Sequence, residues 1–196
     1  MKRVIFFAAA AIACSACASQ GTQEINDLTL DKLNGCVKQS IVMVNPDPYG
    51  YATYVMTTDY SEDGYRTHYE SVGCGETLVI EYDGKGNEVS IFSTEGFDDE
   101  YQEIKTECRV EVNSAKNVKD IYYSNNGGQE YLAKRYTFGK NGMTLTVFES
   151  DGSERYTTDN CGLFPNIEIT ETDEHGNWTK GSGYGYDYEQ KIVYYE

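Results

Sequence analysis

Along most of this chain, hydrophobic residues recur at every second position. In Thr77-Leu78-Val79-Ile80-Glu81-Tyr82, the side chains of Leu78, Ile80 and Tyr82 share a face. In Met143-Thr144-Leu145-Thr146-Val147-Phe148, Met143, Leu145 and Val147 share one, with the threonines opposite. Cys108-Arg109-Val110-Glu111-Val112 and Asn166-Ile167-Glu168-Ile169-Thr170 alternate in the same way. A period of two turns one set of side chains inward and the other to water, the pattern of half-buried strands. Turn signals separate the runs: Asp63-Gly64, Asp83-Gly84-Lys85-Gly86, Asn126-Gly127-Gly128, Asn141-Gly142, Asp151-Gly152 and His175-Gly176-Asn177. Such dipeptides supply the positive φ values of tight hairpins. Strand, turn and strand at short spacing predict an all-β antiparallel meander of about a dozen strands. A sheet this wide curls or splits, so the expected form is a twisted, curled sheet or an open barrel-like half-shell. One segment, Asp98 to Glu107, carries acids in a possible first turn and is an alternative helix.

The hairpins also suggest a degenerate repeat. Ile80–Glu88, Tyr136–Gly142 and Thr170–Lys180 each read as a strand ending in an aromatic residue or Thr, then a polar turn with Gly, then a return strand. Their spacing is irregular, so no strict array is implied.

The N-terminus breaks the alternation. Met1-Lys2-Arg3 is followed by an apolar run from Val4 to Ala13, which has the form of a secretory leader. The run is too short to span a bilayer, which takes about 20 residues. Ser15-Ala16-Cys17 has the small residues that precede a lipidated cysteine. Cys17 is therefore the expected lipid site, although Ala11-Ile12-Ala13 before Cys14 also fits, and cleavage after Ala18 is a third route. Lipidation at Cys17 leaves Cys36, Cys74, Cys108 and Cys161. These four can pair completely in three ways, and without C-x-x-C spacing they favour disulfides over zinc. The expected organisation is a leader over 1–16, a polar tether over 17–30 and one β-rich domain over 31–196. The expected location is the bacterial cell envelope, lipid-anchored to the outer membrane.

The chain carries a net charge of −16, which becomes −18 once Lys2 and Arg3 leave with the leader. That excludes a nucleic-acid binder, which needs a basic face. Eighteen Tyr and seven Phe argue against disorder, because such side chains fill strands and supply buried area. No P-loop, H-E-x-x-H or nucleophile-elbow motif occurs. His175 falls in a turn and His68 on a strand. The acidic stretches Asp83–Glu88 and Asp98-Asp99-Glu100 do not match a calcium loop and read as a polar turn and a solvated run. The reading is non-enzymatic, with no cofactor and no metal. A hydrolase working through a carboxylate pair is the least favoured alternative.

The candidate ligand-binding set is Trp178, Tyr184, Tyr186 and Tyr188. If Tyr184, Tyr186 and Tyr188 lie on one strand, they point the same way, with Gly183, Gly185 and Asp187 opposite. Such a row stacks sugar rings or a partner's side chains, or else forms the core face of the last hairpin. The expected function is a non-catalytic module for an envelope protein partner, with glycan binding as the alternative.

Thr172-Asp173-Glu174-His175-Gly176-Asn177-Trp178-Thr179-Lys180, followed by Lys191-Ile192-Val193-Tyr194-Tyr195, resembles the closing unit of YD-repeat-like (Rhs-like) Bacteroidetes lipoproteins. Leu33-Asn34-Gly35-Cys36-Val37-Lys38-Gln39 is similar to their opening strand. Only Tyr82-Asp83 keeps the Tyr-Asp pair, since Thr172 stands before Asp173. The resemblance implies a hairpin-rich β fold and an envelope location.

Overall fold

The computed structural model describes residues 26–45, 53–73, 75–95, 102–139, 142–159 and 167–196. After a single helical turn, α1 (Asp27–Leu30), the strands follow as β1 (Val37–Val44), β2 (Tyr54–Tyr60), β3 (Arg66–Gly73), β4 (Glu76–Tyr82), β5 (Glu88–Glu95), β6 (Gln102–Asn113) and β7 (Val118–Asn125). They continue as β8 (Tyr131–Gly139), β9 (Gly142–Phe148), β10 (Glu154–Thr158), β11 (Glu168–Thr172), β12 (Trp178–Gly183) and β13 (Tyr186–Tyr194). All thirteen form one antiparallel sheet in the order β10-β9-β8-β7-β6-β5-β4-β3-β2-β1-β13-β12-β11. Every pairing is a sequential hairpin except β1 with β13, where the last strand returns to the first. The sheet does not close, because β10 and β11 end the order without pairing to each other.

The connectivity requires the curl. Laid flat, thirteen strands at the usual spacing would measure about 58 Å across. Yet β10 and β11, at opposite edges, are separated by only residues 159–167, a link that reaches at most about 36 Å. Side chains give the same answer. Lys134 on β8 meets Glu88 on β5 at 2.7 Å, passing over β6 and β7. The concave face therefore holds the buried positions, including Ser40, Val42 and Val44 of β1, Thr58 and Tyr60 of β2, Tyr69 of β3, Ile121 of β7 and Gln190 of β13.

Four of the hairpins share a five-residue turn. In Ser61–Tyr65, Asp83–Asn87, Glu149–Ser153 and Asp173–Asn177, the first N–H donates to the fifth carbonyl at 2.8 Å, and the fourth N–H returns to the first carbonyl. The fourth residue is Gly in each, with φ between 70° and 85°, as a type I turn closed by a left-handed residue requires. The repeat sensed in the sequence is thus real at the turns Asp83–Asn87 and Asp173–Asn177. It extends to two more turns that the sequence comparison left out.

Several expectations need correction. Residues 102–107 are not helical; they open β6, whose alternating Ile104, Thr106, Cys108 and Val110 pair between β5 and β7. Asp98–Tyr101 lies outside the described residues. Residues 26–30, assigned to the tether, belong to the domain: α1 is capped by Asn26 and buries Leu28. Cys36 and Cys108 are free thiols, so the expected pairing does not hold for them. They lie five strands apart in the sheet order, Cys36 just before β1 and Cys108 on β6. Cys74, Cys161 and Cys17 are outside the described residues.

Candidate functional site

The two ends of the curl differ. At one end, residues 26–35 form a cap that docks on three of the shared turns. Asn26 accepts from the Thr29 N–H at 3.1 Å and donates to the Asp63 carbonyl at 3.1 Å. The Leu28 N–H donates to the Gly64 carbonyl. Gly86 lies against the Asp27 carboxylate so closely that any Cβ would collide with it. At the third turn, Asn177 is fully buried, with 0% exposure. Its carboxamide accepts from the Asn34 N–H at 2.6 Å and donates to the Asn34 carbonyl at 2.9 Å and to Tyr194 Oη at 2.7 Å. Leu28, Leu33, Val37 and Tyr60 form the apolar heart of this cap, with Ile192 and Tyr194 against it.

Inside the cap lies a charge network. Arg66 grips Asp31 with Nε and Nη2, and its backbone N–H donates to Asp27 Oδ2 at 2.8 Å. Tyr60 Oη donates to Asp31 at 2.7 Å. Farther along the concave wall, Glu88 takes hydrogen bonds from Lys134 at 2.7 Å and Tyr123 at 2.5 Å, and Lys119 Nζ donates to Asn87 at 2.9 Å. Three acids, Asp27, Asp31 and Glu88, thus stand with three cations, Arg66, Lys119 and Lys134. Burial pushes Glu88 up, but Lys134 beside it and the two hydrogen bonds bring it below the usual carboxylate range. Burial wins at Asp27, which is raised despite Arg66, and at Lys119, which is lowered. Paired charges of this kind fix geometry, because each would be costly to bury alone.

Among the described residues, the opposite end is aromatic. Along the concave face of β13, the residues run Tyr194, Ile192, Gln190, Tyr188 and Tyr186 from the cap to the rim. Exposure climbs along this ladder: Gln190 is 6% exposed, Tyr188 is intermediate, Tyr186 is 47% and Tyr184 is 70%. Tyr188 stands opposite Val44 on β1, and Tyr54 of β2 stands on Val44's other side. The Tyr54 ring lies over Gly73, where a Cβ would collide with the ring and with the Thr53 carbonyl oxygen. Tyr186 follows Tyr188 on the same face of β13 and Tyr184 stands in the turn just beyond it; burial raises the Tyr188 hydroxyl, and the hydroxyls of Tyr186 and Tyr184 raise it further.

This placement revises the sequence reading. Tyr184 is not on the strand: with Gly185 it makes a two-residue turn, both at positive φ (55° and 83°), which joins β12 to β13. Tyr186 and Tyr188 do share a face, as expected. Trp178 is 7% exposed, so its ring packs inward instead of joining the rim. Asp83, considered for calcium, spends its carboxylate on the N–H groups of Lys85 and Asn87, and Glu88 spends its own on Lys134. His68 on β3 faces Glu81 at 2.9 Å, and the His175 ring sits 4.3 Å from that of Tyr194. Gln190 escaped the sequence reading, although it continues the spacing of Tyr186 and Tyr188. Glu88 and Lys134 had no detectable signal, being 46 residues apart on strands that do not pair.

Compared with known proteins, the chain matches no family model, no curated protein and no solved structure at a significant level.

Proposed function

We propose that this chain is an envelope-anchored, non-catalytic binding module whose aromatic end carries a glycan-binding face. The observation that carries this reading is the tyrosine cluster: Tyr184 and Tyr186 are exposed at the rim while Tyr188 continues the same surface inward. Aromatic faces exposed together on a rigid sheet suit stacking against a ring. The buried carboxylates Asp31, at the cap, and Glu88, on the concave wall, are each committed to a cation, which supports binding over hydrolysis. With Cys17 lipidated, only nine residue steps separate the lipid from Asn26, at most about 32 Å of chain. The cap would then stand near the membrane and the tyrosine rim would face away from it.

A second reading, a protein-interaction module, is favoured by the sheet edges. Every residue of β11 is exposed, as are four of the five in β10, and Tyr156 and Ile169 lie uncovered there. Edge strands accept an added strand from a partner.

One experiment separates the two. Mature protein from cells is run through native gels containing soluble polysaccharide, as wild type and as Tyr186→Ala. In parallel, photocrosslinkers are placed at Tyr186 and Tyr156 in cells, with Cys17→Ala as the unanchored control. Retardation that depends on Tyr186 supports the glycan reading. A single envelope protein captured from Tyr156 in near-equal amount, without retardation, replaces it with the second.

A further inference from the structure

Gln190 is nine-tenths buried on the concave face of β13. Its Nε2 donates to Ser40 Oγ at 2.7 Å, while its Oε1 has no hydrogen-bond partner among the described residues. Rotating the carboxamide by half a turn would not help, because Oε1 would then take the serine proton and Nε2 would be left over. A buried acceptor without a donor is destabilising, and folded proteins retain few of them. Directly opposite Gln190 on β1 is the buried Val42, and polar neighbours lie one step toward the cap. Ser40 on β1 is buried, and Thr58 directly opposite it on β2 is buried as well. One step rimward along β13 stands Tyr188, and one further stands the exposed Tyr186.

We infer that Gln190 is the inner end of a saccharide subsite, in which a neutral sugar stacks on Tyr186 and Tyr188 and donates a hydroxyl to Gln190 Oε1. This rests on the glycan reading above and adds the polar contact that sets its specificity. A hydroxyl suits the position because it both gives and takes a hydrogen bond. Ser40, which accepts from Gln190, keeps its own O–H to offer beside the Gln190 acceptor. Charge selects the class. The chain is strongly acidic overall, at −16, so acidic sugars are repelled at long range. Tyr188 lies between Gln190 and the rim, so its partly buried ring must turn to the side of the site as the sugar enters and stack on it from there.

The test is calorimetric titration of the full chain with maltoheptaose, cellohexaose, xylohexaose and mannohexaose, and with oligogalacturonate as the acidic control. The proteins are wild type, Tyr186→Ala, Gln190→Met and, if the last does not fold, Gln190→Thr. The expected result is binding of at least one neutral oligosaccharide, weakened about tenfold or more by either substitution at Gln190, with the melting temperature of that variant unchanged or raised. Retained affinity in the Gln190 variants with loss in Tyr186→Ala overturns the subsite and leaves the glycan reading standing. Absence of binding to every neutral oligosaccharide by wild type overturns both. Preference for oligogalacturonate overturns the neutral class.

Discussion

At the cap end, polar side chains are buried and satisfied; at the opposite end, aromatic side chains are exposed and one buried amide oxygen is not satisfied. The same strand joins the two. On β13, Tyr194 hydrogen-bonds to Asp173 and Asn177 inside the cap, whereas Tyr186, eight residues away on the same face, meets solvent. Arg66 holds the N-terminal segment through Asp27 and Asp31, while Glu88 and Lys134 tie β5 to β8 across the concave wall beside it. The contrast teaches where stability and binding reside: substitutions at the cap should change folding, and substitution of the exposed Tyr186 at the rim should change only recognition.

The strongest way to break the comparison is at Lys134. Replacing it with Met leaves Glu88 buried with no cation, a loss of about 3–5 kcal/mol for a broken buried pair. Urea unfolding monitored by circular dichroism should show this as a lower midpoint. The double variant Glu88→Leu/Lys134→Met should recover most of the loss, because it removes both charges together. A smaller effect is expected at the shared turns. Asn177→Ala strands the Asn34 N–H and carbonyl and takes one donor from Tyr194 Oη, which keeps Asp173, at about 1–3 kcal/mol. Asn87→Ala, at the matching position of the Asp83 turn, removes one contact to Lys119 and one to Asp83, and should cost about 1 kcal/mol. Equal losses at the two positions would show that the turns, rather than the cap docked on them, set the cost.

The sheet was legible because alternation is a local signal: Leu78/Ile80/Tyr82 and Met143/Leu145/Val147 announce strands without knowledge of their partners. The glycine turns were legible for the same reason. The strand from Gln102 was ambiguous because Asp98-Asp99-Glu100 imitates a helix start, and only pairing with β5 and β7 settles Ile104 and Thr106 as alternating wall positions. Tyr184 was misplaced because the Tyr-x-Tyr-x-Tyr spacing suits a strand, while the left-handed turn at Tyr184-Gly185 is decided by hairpin closure between Gly183 and Tyr186. The charge network was invisible, since it depends on the curl bringing β5 and β8 within side-chain reach. Gln190 lay within the readable ladder, yet its missing donor is a three-dimensional fact.

Acidity separates the cap from the wall beside it. Glu88 lies below its ordinary range, so its support is fully present above about pH 4.5 and is lost as pH falls through the lower folded value. Asp27 lies above its range, so its sign is opposite: its cost is absent in acid and appears as pH rises from about 4 through the raised value. Asp27→Asn keeps an acceptor for the Arg66 N–H and carries no charge. Compared with wild type, it should therefore gain relative stability as pH rises from about 4 towards neutrality. Thermal melts of both proteins at several pH values measure this, and a difference constant with pH would mean that Asp27 is not held in a low-dielectric site.

The smallest effect on folding belongs to the rim. Tyr186 is 47% exposed, so Tyr186→Ala removes little buried area and should shift stability by no more than about 0.5 kcal/mol, as surface changes usually do. Tyr188→Ala is the more demanding neighbour, because its ring is half-buried beside Val44 and burial already raises its hydroxyl. If the rim is a recognition surface, affinity and stability must separate: Tyr186→Ala loses ligand at an unchanged melting temperature, and Tyr188→Ala loses both. A Tyr186→Ala variant that melts as low as Tyr188→Ala would place Tyr186 in the packing of the last hairpin. The aromatic end would then be an extension of the core, and the contrast between the two ends would fail.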